Sequence, residues 1–255
     1  MSLTKPRHIL ITGGSSGIGK ALALEYAAPG IRLTLTGRDA ERLSDTAKSC
    51  ESMGAEVATK VIDVADRFAM ADWLTKQDDA YPLDLVIANA GVSMGTSSEK
   101  DNDEKVRDIF AVNLAGVLNT IHPLIDRMKE RGKGQIALVA SIAAFRGLPG
   151  SPAYTASKAA VKAYGEGLRP RLARHGISLS VVLPGFVRSR ITDQNTFPMP
   201  FFMEADKAAR IIHKGLAKNK ARIAFPWPTH FSMWLLSALP AAWGDILLSK
   251  SPKKE

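Results

Sequence analysis

Short apolar runs and longer stretches of helical period alternate through most of the chain. Runs at 8–12 (HILIT), 32–36, 57–62, 83–88, 135–140 and 178–183 have the length of strands. Between them, residues 18–28, 40–53, 67–76, 104–118 and 153–174 read as helices. In the fourth of these, Val106, Phe110, Leu114, Val117 and Ile121 recur every three or four positions, the repeat of one helix face. Strands that alternate with helices predict βαβ units and a mainly parallel sheet buried on both faces. After residue 184 the pattern changes. Residues 186–203 read as a loop, 204–218 as a helix and 222–225 as a last strand. Two very apolar stretches follow, 229–239 and 241–250, separated by Pro240. Neither reaches the ~18 residues that a membrane span needs.

A length of 255 residues suits one α/β domain rather than two. The hydrophobic share of 45% and charged share of 23% belong to a folded chain, not a disordered one. A lone cysteine, Cys50, excludes an internal disulfide framework and a cysteine zinc cluster, and no residues stand out as metal ligands. The first strand starts too early to leave room for the apolar core of a signal peptide, so a cytoplasmic location is expected. The net charge is +9, and residues 187–255 carry eleven Lys/Arg against five Asp/Glu. Such a surface attracts anions. No nucleic-acid-binding motif accompanies it, so nucleic acid is not an expected partner.

The segment Thr12-Gly-Gly-Ser-Ser-Gly-Ile-Gly-Lys-Ala21 joins the first strand to the first helix. Three patterns compete for it. Gly13 to Gly17 matches a nucleophile elbow, but that turn needs an oxyanion donor from an earlier strand's loop, and no strand precedes residue 8. Gly14 to Lys20 nearly matches a triphosphate-binding loop, but Ala21 stands where the magnesium-holding hydroxyl is required. Gly13, Gly17 and Gly19, with Ser15, Ser16 and Ile18 between them, fit a dinucleotide turn. There the backbone approaches a pyrophosphate and the helix N-terminus faces it. A Gly/Ser-rich turn with no ligand is the bland alternative.

The remaining motifs follow in order: Asn89-Ala90-Gly91, Asn113, Ser141, Tyr154-Thr-Ala-Ser-Lys158 and Pro184-Gly185. Together with residues 12–19 they resemble the classical short-chain dehydrogenase/reductase family over roughly residues 8–190. The resemblance implies a Rossmann-like, doubly wound single domain over 1–255. Its cofactor-binding and catalytic core would span 8–185. Residues 186–255 would supply a substrate-specificity loop and an apolar helical extension. It implies reversible ketone and secondary-alcohol interconversion by hydride transfer. Tyr154 would be the acid/base, Lys158 its one-turn neighbour on the same helix face, Ser141 the holder of the carbonyl oxygen and Asn113 the positioner of a water. A nearby ammonium lowers a phenol's pKa, so Lys158 is expected to make Tyr154 a better base. An ordinary amphipathic surface is the alternative for the Tyr/Lys pair, a turn cap for Ser141 and a backbone-satisfied buried residue for Asn113.

The resemblance further assigns Asp63 and Val64 to the adenine and Asn89, Ala90 and Gly91 to the cofactor. Pro184, Gly185, Val187 and Ser189 would lie at the nicotinamide. Ala88 replaces the first of two asparagines common in the family, which weakens a bracing bond. Gly37 stands about 20 residues past the glycines, where an NAD-selective acid belongs, and Arg38 follows it. A guanidinium there suits a 2′-phosphate, so NADP is expected. Asp39 facing the ribose would instead select NAD. The alternatives are an NAD-dependent alcohol dehydrogenase and a non-catalytic cofactor sensor, the latter opposed by the intact Ser141, Tyr154 and Lys158. A homodimer or homotetramer through the helices of Asn113 and Tyr154 is implied.

Two apolar clusters lie beyond the motifs: Phe197, Pro198, Met199, Phe201, Phe202 and Met203, then Phe231, Trp234, Leu235, Ala238, Leu239, Trp243, Ile246, Leu247 and Leu248. Core closure or a subunit interface is one reading of the second cluster. The functional reading is that both wall a pocket for an apolar ketone. Trp234 and Trp243, with Lys250, Lys253 and Lys254, would also suit peripheral contact with an anionic membrane.

Overall fold

The computed structural model describes residues 5–93, 103–193 and 197–248. Seven strands form one parallel sheet: β1 (His8–Thr12), β2 (Arg32–Gly37), β3 (Glu56–Val61), β4 (Leu85–Ala88), β5 (Gly134–Val139), β6 (Ile177–Pro184) and β7 (Arg222–Phe225). Their order is β3-β2-β1-β4-β5-β6-β7. In register, His8 pairs with Arg32 on one side of β1, and Ile9 pairs with Leu85 on the other.

Alternate residues of each buried strand serve opposite faces. Ile9 and Ile11 join Leu33, Leu35, Leu85 and Ile87 under α1 (Gly17–Tyr26), α2 (Ala40–Ser52) and α8 (Ala205–Ala217). Leu10 and Val86 instead join Ile136 and Leu138 under α3 (Arg67–Ala80), α5 (Gly116–Arg131) and α6 (Pro152–Ala173). The chain winds outward from β1 in one direction to β3 and in the other to β7. A crevice therefore opens at the C-terminal ends of β1 and β4, where ligands bind in open α/β sheets.

The helix expected at 104–118 is longer. It runs from α4 (Asp103–Phe110) through a π-helical segment (Ala111–Ala115) into α5. By length and composition that run could cross a membrane, but half of its most apolar window is buried, and α5 packs on α3 and the sheet. The expected loop at 186–203 holds a short helix, α7 (Arg190–Asp193). The ends of that loop are joined: Val187 bridges to Met203, and Met203 N–H donates to Phe186 O at 3.0 Å. Two helices end the described chain, α9 (Trp227–Ala238) and α10 (Ala241–Leu248). They add little to the core: α9 has no fully buried residue, only Met233 packed against the core, and α10 buries only Gly244 and Leu248.

Candidate active site

The glycine turn leaves β1 with Gly13 and Gly17 at φ of 69° and 51°, the left-handed region that glycine enters without strain. A Cβ on Gly13 would lie 3.0 Å from Ala90 Cα, and one on Gly17 2.9 Å from Ser189 Cβ. At Gly19 it would reach 2.2 Å from Gly13 O. The turn is thus a cradle that side chains would fill. Ser16 stands at the N-cap of α1 without a side-chain cap bond, and the first turn holds no acid. By contrast, α2 and α3 begin on Asp39 and Asp66, whose carboxylates accept backbone N–H groups. The N-terminus of α1 keeps its positive end for an external anion, which fits a dinucleotide pyrophosphate.

Thr12 braces this end of the crevice. Its hydroxyl accepts from the N–H groups of Asn89 and Ala90 at 3.0 and 3.1 Å, while Asn89 Nδ2 donates to Thr12 O at 2.9 Å. Two neighbouring residues therefore supply the brace that Ala88 lacks. Sequence reasoning placed Thr12 in the motif but gave it no role.

The far end of the crevice gathers Ser15, Arg38, Asp63 and Val64. A Cβ on Gly37 would lie 3.0 Å from Ser15 Oγ, so Ser15 sits against the end of β2. Arg38 makes a 3.6 Å ion pair with Asp63, with side chains 60% and 42% exposed. Asp63 also accepts from Ala65 N–H at 2.9 Å. Val64 is buried against Gly116. Asp39 turns away: it caps α2 through Arg42 N–H at 3.0 Å and pairs with the Arg42 guanidinium at 2.8 Å.

Ser141 lies two residues past the end of β5 and is buried. Its hydroxyl accepts from Ala143 N–H at 3.1 Å, capping a short 3-10 turn (Ile142–Phe145), and donates to Pro184 O at 3.5 Å. Cap and site residue are thus one side chain. Burial raises the Tyr154 pKa, and the neighbouring Ser141 hydroxyl opposes this. The expected lowering by Lys158 is not what the structure gives. Lys158 Nζ donates to Val139 O at 2.9 Å and stands 5.9 Å from the Tyr154 ring centre. Burial instead depresses Lys158 itself to about 8, because an ammonium is costly away from water.

Asn113 occupies the middle of the π segment and is fully buried. Its Oδ1 accepts from Val92 N–H at 2.8 Å, and its Nδ2 donates to Val92 O at 2.9 Å and Ser157 Oγ at 3.0 Å. Ser157 in turn donates to Tyr154 O at 2.7 Å. Asn113 thereby ties the segment after β4 to the helix of Tyr154. A Cβ on Gly91 would lie 3.1 Å from Asn113 Oδ1 and 3.2 Å from Lys158 Nζ, so these three positions converge. Ser157 was missed from sequence, although it lies inside the Tyr154–Lys158 motif. The π insertion left no trace in the apolar period. Pro184 and Gly185 close the near wall, with Gly185 N–H donating to Phe225 O at 2.7 Å. Val187 is buried, and Ser189 comes against Gly17.

The apolar clusters are arranged differently from expectation. A cavity of about 520 Å³ lies between the 3-10 turn, α6 and α10, lined by Phe145, Leu148, Pro149, Pro152, Ala156 and Leu248 among others. At about 100° per residue, Pro152 and Ala156 face away from Tyr154 and Lys158 on α6. Phe197 packs on Phe186 with ring centres 5.9 Å apart. Arg188 covers Phe202 at 5.1 Å, and Phe201 is exposed. Of the two clusters, Leu248 alone lines this cavity. Lys250, Lys253 and Lys254 lie outside the described residues.

The short chain dehydrogenase family model matches residues 7–198. An uncharacterized oxidoreductase of Myxococcus xanthus is 37% identical over 235 residues, 92% of this chain and 93% of its own. The 3-dehydrosphinganine reductase of Arabidopsis thaliana is 32% identical over 247 residues, 91% of this chain and 72% of its own. Among solved structures, a short-chain dehydrogenase of Sphingobium yanoikuyae in complex with NADPH matches with a TM-score of 0.80 at 25% identity. The match covers 92% of this chain and 97% of that one. A short-chain dehydrogenase of Mycobacterium paratuberculosis bound to NAD matches at 0.75 and 25%, over 86% and 94%.

Proposed function

The chain belongs to the short-chain dehydrogenase family and is an NAD(P)-dependent oxidoreductase; from that premise we propose that it reduces an apolar ketone with NADPH, using Tyr154 as proton donor. The observation that carries this reading is the meeting of Ser141, Tyr154 and Lys158 at the C-terminal edge of the sheet, beside the glycine turn.

A nicotinamide cofactor held here would supply the hydride. Residues 13–19, Arg38, Asp63, Val64, Asn89 to Gly91, Pro184, Gly185, Val187 and Ser189 would hold the cofactor, with Tyr154 and Lys158 at its nicotinamide end. Ser141 Oγ hydrogen-bonds the substrate carbonyl oxygen, and the Tyr154 hydroxyl gives it a proton. The raised Tyr154 pKa keeps the phenol protonated at neutral pH, the form that reduction needs. Lys158, held near 8, is charged at neutral pH, and with Nζ fixed on Val139 O it would serve to hold the cofactor beside Tyr154. Asn113, through Ser157, holds the start of α6 in register with the end of β4. NADP is preferred over NAD because Gly37 presents no acid, Arg38 stands exposed beside Asp63, and Asp39 is committed to α2.

An apolar substrate is supported by the Arabidopsis relative, named for reducing 3-dehydrosphinganine, a long-chain ketone. The same reading places the enzyme as a homodimer or homotetramer in the cytoplasm, in peripheral contact with a membrane. Tyr154→Phe keeps the ring and removes the transferable proton. Ketone turnover with NADPH should fall at least ~100-fold, with NADPH affinity held; turnover within a few-fold of wild type overturns the assignment. Catalytic efficiency should also rise along a ketone chain-length series, by up to ~0.8 kcal/mol per methylene. A preference for sugars overturns the substrate class.

A further inference from the structure

The two C-terminal helices are amphipathic the wrong way round for a soluble surface. Trp227, Phe231, Trp234 and Leu235 fall in one stripe about 100° wide on α9, and each is at least 47% exposed. On α10, Trp243, Ile246 and Leu247 share the outer side, each at least 59% exposed. These are seven of the twelve large apolar side chains exposed among the described residues, so the exposure is concentrated in one hairpin. Three of the four tryptophans of the chain are there.

The contacts of the inner faces hold this orientation. His230 meets the Phe145 ring at 5.3 Å, and Met233 packs against the core. Arg146 donates to Ala241 O at 3.1 Å and Asp245 Oδ1 at 3.0 Å, and Leu248 is buried. The hairpin is thus fastened to the segment that follows Ser141, with its apolar side outward.

We propose that α9 and α10 form a docking hairpin that seats the enzyme on an anionic lipid surface. This deepens the peripheral-membrane reading above and does not depend on which ketone is reduced. Charge decides the occupant. Residues 223–248 contain a single charged side chain, Asp245, and Arg146 neutralises it. Lys250, Lys253 and Lys254 follow in the sequence, against Glu255 alone. Tryptophan on an apolar helix face, in a sequence that continues into lysines, matches the boundary between acyl chains and anionic headgroups. A second copy of the hairpin would bring no free carboxylate within 223–248 to meet those lysines.

The test is co-sedimentation of the full chain with vesicles of phosphatidylcholine plus phosphatidylglycerol, against phosphatidylcholine alone. Wild type should bind the anionic vesicles, with tryptophan emission shifted to the blue and binding weakened by salt. The double variant Trp234→Glu/Trp243→Glu should lose vesicle binding by at least about tenfold and keep the wild-type rate on a short, water-soluble ketone. Reversing Lys250, Lys253 and Lys254 to Glu should remove the preference for anionic lipid without touching the hairpin. Wild type that stays in the supernatant, or a double variant that binds as wild type does, overturns the proposal. So does a double variant that falls to a smaller assembly by light scattering when wild type ignores vesicles, which would make the face a contact between copies. Vesicle binding without ketone reduction would strike the proposed reaction and leave the docking hairpin standing.

Discussion

Replacing Arg38 with Leu tests how this crevice chooses its cofactor. In the structure the guanidinium is exposed and paired with Asp63 at 3.6 Å. An exposed pair of that kind is worth about 0–1 kcal/mol, so little is lost when Arg38 turns to a phosphate. A hydrogen bond to a charged group contributes about 1.5–3 kcal/mol. The difference leaves a net contribution of about 0.5–3 kcal/mol, or roughly two- to 150-fold in NADPH affinity. NADH lacks the 2′-phosphate, so its affinity should hardly change. Fluorescence titration of both cofactors on wild type and Arg38→Leu gives the two ratios directly. The NADPH gap should shrink as salt rises, because the site is open to solvent. Asp39→Asn is the companion measurement. It keeps an oxygen to cap Arg42 N–H and removes only the charge paired with the Arg42 guanidinium, so it should cost little stability while leaving the NADPH to NADH ratio unchanged. Wild type that prefers NADH, an Arg38→Leu loss equal for both cofactors, or a ratio that moves with Asp39→Asn would each refute the reasoning.

Three further outcomes follow from the same geometry. Lys158 is depressed to about 8 in the folded protein from 10.5, so the unfolded chain binds more protons between those values and stability rises with pH there. Urea unfolding of the cofactor-free protein from pH 8 to 10 should show a gain of roughly 2 kcal/mol from this group that Lys158→Met lacks; equal slopes would show that the ammonium is not buried as described. Gly19→Ala would place a methyl 2.2 Å from Gly13 O, and the turn must open. A cost of about 1–3 kcal/mol in thermal unfolding together with lost NADPH binding is expected, and an alanine variant that binds normally would remove the close approach. Ser157→Ala takes one partner from the buried Asn113 amide. It should destabilise by about 1–3 kcal/mol and lower turnover with NADPH affinity kept, whereas unchanged turnover would reduce Asn113 and Ser157 to packing.

The order of apolar runs and helical periods determined the fold class, because a parallel sheet buried on both faces writes itself as alternating strand and helix. Spacing within one helix sufficed to put Tyr154 and Lys158 on one face, and Gly13, Gly17 and Gly19 announced a turn with no room for side chains at those positions. Which groups meet across the sheet was a tertiary matter. The order β3-β2-β1-β4-β5-β6-β7 brings the ends of β1, β4, β5 and β6 to one crevice, and no local pattern encodes that order. Arg38 and Asp39 are neighbours in sequence, yet one faces solvent and the other caps α2; a one-residue difference at a strand end is decided by the helix that follows. The direction of the Tyr154 pKa depends on how much water burial removes, which a motif does not state. For α9 and α10, periodicity revealed an apolar stripe but not what covers it. Only the packed structure shows the inner faces fastened to Phe145 and Arg146 and the tryptophans left outside.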